Sequence, residues 1–166
     1  MRWPIALLVL GAAHQGTVFL KKAHESQSKY RDAWQAARQV GKPMVVVGGP
    51  YGSFWTGKVF GLKSHGCGDL CTDIDPQSCR GCPYEEGDVR QLPFAGHQFG
   101  SVFCAHVLEH MPTAEDCARA WWELHRVADE VFVVFPGKDS LAGWTTRGHY
   151  LWVREEGHGG LLVEER

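Results

Sequence analysis

Four cysteines crowd into the segment CGDLCTDIDPQSCRGC, as Cys67, Cys71, Cys79 and Cys82. Their spacing, C-x3-C-x7-C-x2-C, could serve a metal such as zinc, which asks for four soft ligands converging tetrahedrally. Only the last pair has the tight gap of such sites, and Cys71 sits in an apparent strand that fixes its direction. A Cys79–Cys82 or other disulfide suits an exported domain, and ordinary thiols, buried or exposed, are the simplest reading. A second stretch, KPMVVVGGPYGSFW from Lys42 to Trp55, reads as a buried strand running into a glycine-rich turn. Glycine there lets backbone approach a ligand with no side chain in the way. The remaining residues able to do chemistry, Asp73, Asp88, His106 and His110, also follow or end apolar runs.

The elements that must position them alternate along the chain. Apolar residues at Ala33, Trp34, Ala37 and Val40 give a helical face from Tyr30, with Gly41 as its cap and Pro43 as its stop. Met44–Val47 is short, apolar and β-branched, a buried strand. Ser53–Leu62 is a weak helix interrupted by Gly57 and Gly61. Further strands are expected at 69–74, at 88–94 as an edge strand limited by Pro93, within 99–108, and at 130–135. Thr113 caps a helix whose face is Ala114, Cys117, Ala118, Trp121, Leu124 and Ala128. HYLWVREEGHGGLLVEER closes the chain as a hairpin. Strands alternating with helices predict an α/β domain with a mostly parallel sheet, which binds ligands at the carboxyl ends of its strands.

At 166 residues the chain is long enough for one domain with one sizeable core, and a formal net charge of -2 excludes a broad basic nucleic-acid surface. The N-terminal stretch WPIALLVLGAAHQGTVFL, Trp3 to Leu20, has no formally charged residue. It approaches the roughly 20 residues that span a bilayer. The expectation is a single-pass anchor over residues 1–22, a linker and amphipathic helix over 23–42, and the main domain over 43–166. Lysines and arginines after the run place that domain in the cytoplasm. Two other readings stand beside it: a cleaved signal peptide ending at Gly11, Ala12 and Ala13, and a helix that packs on the domain of a cytoplasmic protein.

From Val45 to Pro136 the order of motifs resembles class I S-adenosylmethionine-dependent methyltransferases of the small methyltransferase-domain type. The most specific piece is GDVRQLPFAGHQFGSVFCAHVLEHM, in which an acid precedes LPF and VLEH follows a strand. The resemblance implies a Rossmann-like fold with helices on both faces of the sheet, and S-adenosylmethionine as cofactor. It implies a cofactor loop at Gly48, Gly49, Pro50, Tyr51 and Gly52, a ribose-binding acid at Asp73, and an adenine contact at Asp88 and Val89. Ala105 and His106 would line the methionine side. A hydroxyl acceptor would benefit from a base, for which His106, His110 and His149 are candidates.

Three departures from the family pattern stand out: Val46 where an acid is usual, Pro50 where a glycine is usual, and Phe99–Gly100 where FD is frequent. Two functions follow as expectations. One is a membrane-anchored methyltransferase acting on a small or membrane-associated acceptor. The other is a non-catalytic methyltransferase-like accessory or scaffold subunit of a membrane protein complex. No nucleic-acid partner is expected from either.

Overall fold

The computed structural model describes residues 3–51, 61–157 and 159–166. Helix α1 (Trp3–Gln39) leads into β1 (Met44–Val47) through Gly41, which adopts φ 67° as the expected cap. Then come β2 (Leu70–Asp73), a 3-10 turn at Pro76–Cys79, β3 (Tyr84–Glu86) and β4 (Phe99–Ala105). A second 3-10 turn at Leu108–His110, helix α2 (Ala114–Val127), β5 (Ala128–Val134) and the short α3 (Leu141–Thr145) follow. Strands β6 (Leu151–Glu156) and β7 (Gly160–Glu165) end the chain.

The first five strands form one sheet in the order β3-β2-β1-β4-β5, and every neighbouring pair is parallel. Strands β6 and β7 form the separate antiparallel hairpin anticipated from the sequence. Side chains alternate across a strand, so β1 feeds two cores. Val45 and Val47 pack with Val102, Cys117, Leu124 and Leu151 on the face covered by α2 and the hairpin. Met44 and Val46 pack with Phe103, Ala33 and Ala37 on the face covered by α1. Both faces are thus dry, which is why the strand is apolar throughout rather than alternating. Thr113 caps α2 as expected, accepting from the Asp116 N–H at 3.0 Å. The buried face of α2 is Cys117, Ala120, Leu124 and Val127, while Ala114 and Ala118 are exposed.

Several expectations need correction. The membrane anchor fails: among the described residues no helix is long and apolar enough to cross a bilayer. Its polar residues instead dock on the domain. The Gln15 side chain donates to the Asp139 carbonyl at 3.1 Å and accepts from the Leu141 N–H at 2.8 Å, and Val18 is buried. The charge-based cytoplasmic orientation falls with the span it depended on. The linker expected within 23–42 is helix as well, because α1 runs from Trp3 to Gln39 as one helix of 37 residues, about 55 Å long.

The third strand is not 88–94 but Tyr84–Glu86, paired parallel with β2. Residues 88–91 make only an isolated bridge between Asp88 and Gln91, while Val89, Leu92 and Phe94 turn their side chains into the core. The cysteine cluster holds neither four free thiols nor four open metal ligands. Cys67 bonds Cys82 and Cys71 bonds Cys79, stapling β2 and the loop before it to the segment that leads into β3. The helix expected at 53–62 lies, but for its last two residues, outside the described residues, and Gly61 and Leu62 are not helical.

Gly100 explains one departure from the family pattern. A Cβ there would lie 2.8 Å from the Ala37 Cα and 2.7 Å from Val40 Cγ2, so the missing side chain is what lets α1 lie against β4. Gly100→Ala should therefore overpack this contact by about 1–3 kcal/mol, lowering the thermal midpoint by roughly 2–12 °C in calorimetry. The disulfides give a second expected outcome. Denatured without reductant, the chain should take up alkyl groups only on Cys104 and Cys117, the two free cysteines. With reductant all six cysteines should react, a difference read by intact mass.

Candidate active site

In a parallel sheet all strands end on one edge, and that edge collects the residues singled out in the sequence. Strand order reverses between β1 and β4, the place where open α/β sheets hold ligands. On the β1 side lies the glycine turn, with Gly48 at φ 96° and Gly49 at φ 59°. Both conformations favour glycine, and both positions are tight. A Cβ on Gly48 would lie 2.3 Å from Val107 Cγ2, and one on Gly49 would lie 2.2 Å from the Ser78 carbonyl oxygen. The Gly48 N–H donates to Thr72 O and the Tyr51 N–H to Ser78 O, each at 3.1 Å. Pro50 has no N–H, and its carbonyl accepts from the Ser64 N–H and hydroxyl. Gly52 lies outside the described residues.

Asp73 ends β2, half-buried, with Oδ1 accepting from the Asp75 N–H at 2.8 Å. Asp75 in turn caps the 3-10 turn that follows. Asp88 comes just after β3 and is gripped by Arg90. Its Oδ1 accepts from the Arg90 N–H and Nε, and its Oδ2 from Nε and Nη2. That grip holds the Asp88 carboxyl below its usual range, and it uses the roughly four lone-pair directions a carboxylate has. Val89 is buried beside it. Val46, where an acid is usual, is fully buried against α1.

The β4 side carries the densest chemistry. Ala105 is the last buried residue of the strand. His106 then turns at φ 57°, a left-handed conformation that costs a non-glycine residue roughly 1–2 kcal/mol. Its N–H still donates to Val134 O at 2.9 Å, while its imidazole folds back so that Nδ1 lies 3.2 Å from Glu109 Oε1. Glu109 is fully buried, and its backbone carbonyl accepts from the Tyr150 N–H at 2.9 Å. That bond draws in the segment before β6. His110 and His149 meet there edge to face, ring centroids 4.6 Å apart. His149 Nε2 lies 3.9 Å from Glu109 Oε1, and among the described residues Glu109 Oε2 has no hydrogen-bond partner.

Backbone carbonyls set the tautomers of two of these rings, since a carbonyl only accepts. His110 Nδ1 faces Gly148 O at 2.8 Å and His149 Nδ1 faces Gly143 O at 3.1 Å. Both protons therefore sit on Nδ1, and Nε2 keeps its lone pair when the ring is neutral. Burial lowers the pKa of His149, and the Glu109 carboxylate only partly offsets this. Burial alone would raise the pKa of Glu109. The hydrogen bond from His106 and the charges of His106 and His110 outweigh it and hold the carboxyl below its ordinary value.

The structure thus brings His106, His110 and His149 to one place. It sets Asp73 and the glycine turn on the same edge, and ties Asp88 to Arg90. Glu109 is the residue that the sequence did not single out. The usable signal was its place three residues after His106 and one before His110. Among the described residues a separate cavity of about 430 Å³ opens between α1 and the hairpin, near Lys29, Phe135 and Trp152; none of these candidates lines it.

The family model described as a methyltransferase domain matches residues 64–130. No curated protein matches the chain. Among solved structures, a protein from Pyrococcus horikoshii OT3 is 17% identical with a TM-score of 0.37, over 60% of this chain and 53% of that one. The N-methyltransferase NodS of Bradyrhizobium japonicum WM9, crystallised with S-adenosyl-L-homocysteine, is 14% identical with a TM-score of 0.38, over 61% and 56%. An S-adenosylmethionine-dependent methyltransferase of Mesorhizobium loti is 16% identical with a TM-score of 0.38, over 80% and 64%. The chain therefore covers less than two thirds of the length of each of these proteins. The match spans β2, β3, β4 and the start of β5, so this part of the chain is similar to the methyltransferase domain that the family model describes.

Proposed function

We propose that this chain transfers a methyl group from S-adenosylmethionine to a hydroxyl-bearing small molecule at the sheet edge between the glycine turn and His106. One observation carries the reading. The methyltransferase-domain match over residues 64–130 spans Asp73, Asp88 and His106, and these lie on the edge where strand order reverses. Asp73, at the end of β2, suits the ribose hydroxyls, since a carboxylate accepts from both. Asp88 is engaged by Arg90, so adenine would be read by the backbone at Val89. S-adenosylmethionine supplies a methyl carbon made electrophilic by its sulfonium.

The chain's own residues then align the acceptor and handle its proton. The acceptor oxygen forms a bond to the methyl carbon as the carbon–sulfur bond breaks, its electron pair going to sulfur. The acceptor proton passes to His106. That imidazole is half exposed and oriented by Glu109, so it is open to substrate on one side and fixed on the other. The protein's share of the catalysis is positioning and exclusion of water. A non-catalytic methyltransferase-like role has one observation in its favour. The Gly48 and Tyr51 N–H groups are already bonded to protein carbonyls rather than open to a ligand.

Calorimetric titration with S-adenosylmethionine and with S-adenosyl-L-homocysteine separates the two. The wild-type chain should bind both. Asp73→Asn, with an unchanged circular dichroism spectrum, should bind roughly 10–100-fold more weakly, the loss of hydrogen bonds to a charged group. A wild-type chain that binds neither would remove methyl transfer and leave the non-catalytic reading.

A further inference from the structure

We propose that Glu109, His110 and His149 form a binding site for a divalent first-row transition-metal ion. One ligand atom from each of these three residues lies within 4.8 Å of the other two. An ion bound at about 2.0–2.2 Å holds tetrahedral donors roughly 3.4 Å apart, so only a small inward movement completes the set. The two imidazoles are already oriented as metal ligands are. Each gives its Nδ1 proton to a backbone carbonyl, Gly148 O for His110 and Gly143 O for His149, leaving Nε2 as the electron-pair donor. Such outer hydrogen bonds fix the ring and raise its basicity toward a metal. Two histidines and one carboxylate also leave coordination positions open for an exogenous oxygen.

The competing explanation is a polar knot that merely satisfies itself inside the fold. The Glu109 carboxylate argues against it. The residue is fully buried, yet among the described residues Oε2 meets no hydrogen-bond donor while Oε1 has His106 at 3.2 Å and His149 at 3.9 Å. Buried polar networks in native proteins are closed, because an orphaned acceptor costs about 1–3 kcal/mol and more when charged. A cation held through Oε1, the oxygen that faces His149, would offset the charge of this incompletely paired carboxylate.

The site stands without the methyl-transfer reading. On that reading it acquires a role, since it abuts His106, where the acceptor would sit. A bound divalent ion there would hold the acceptor oxygen and ease loss of its proton.

The test is titration of the disulfide-bonded, chelator-stripped chain with Co²⁺ in the absence of S-adenosylmethionine, followed by visible absorption and calorimetry. One equivalent should bind, with ligand-field bands, no thiolate-to-cobalt charge transfer, and a raised thermal midpoint. His110→Ala and His149→Ala, each with a wild-type circular dichroism spectrum, should bind roughly tenfold to hundredfold more weakly or worse. Absence of stoichiometric binding overturns the proposal. So does wild-type affinity in the histidine variants, or a thiolate band, which would put the ion on the cysteines. Cofactor is absent throughout, so a chain that takes up Co²⁺ but not S-adenosylmethionine keeps this site and loses the methyl-transfer reading, and the converse result does the reverse.

Discussion

Met44–Val47 and Phe99–Ala105 lie side by side and run in the same direction, and the rest of the molecule leans on that pairing. Parallel strands cannot be joined by a tight turn, so the chain runs out through β2 and β3 at one side of the sheet before it returns to lay β4 beside β1. Covering both faces is then obligatory, and α1 and α2 do it. Each β1 side chain is fully or almost fully buried, worth about 1.5–3 kcal/mol apiece against leaving it in water. The same burial accounts for Val46. Its side chain meets Ala33 and Ala37 of α1 and Phe103 of β4, and an acid there would lose its water for an apolar wall, a penalty of several kcal/mol.

The pairing also delivers the glycine turn and His106 to one edge, and there the fold does something costly. It buries the Glu109 carboxylate completely and places His106, the residue that bonds it, in a left-handed conformation. Neither feature helps stability on its own. Charge attraction from His106 and His110 makes the buried acid tolerable but leaves one oxygen unmatched. A left-handed residue and an incompletely paired carboxylate thus lie together on the edge where ligands bind in such sheets.

Much of this architecture was legible in the sequence because it depends on local pattern. Met44–Val47 was read to the residue, and the fourth and fifth strands and the Thr113 cap came from apolar runs and a capping residue within three or four positions. The third strand was missed because Tyr84–Glu86 is three residues long, polar and at the sheet's edge, where one-sided pairing leaves no apolar signature. The N-terminal helix was misread because Gln15 answers to Asp139 and Leu141, 124 and 126 residues away. Composition alone makes such a residue look like an imperfection in a membrane span. Four cysteines allow three connectivities, and spacing does not choose among them. His106 and His110 looked like isolated histidines until Gly148, 38 residues on, bonded to His110 and brought His149 beside it.

The two sides of the crevice have different characters. On the β1 side the glycine turn is closed on the protein itself. Its N–H groups at Gly48 and Tyr51 are bonded to Thr72 and Ser78, and the Tyr51 ring lies under Arg80 at 4.7 Å. On the β4 side, polar atoms converge with capacity left over: the unpartnered Glu109 oxygen and the imidazole lone pairs of His110 and His149. A ligand gains most where polar groups are oriented but unsatisfied, because binding there removes a cost already present in the free protein. Oriented but unsatisfied polar atoms therefore gather on the β4 side of the crevice, while the glycine turn packs closely against Val107 and Ser78.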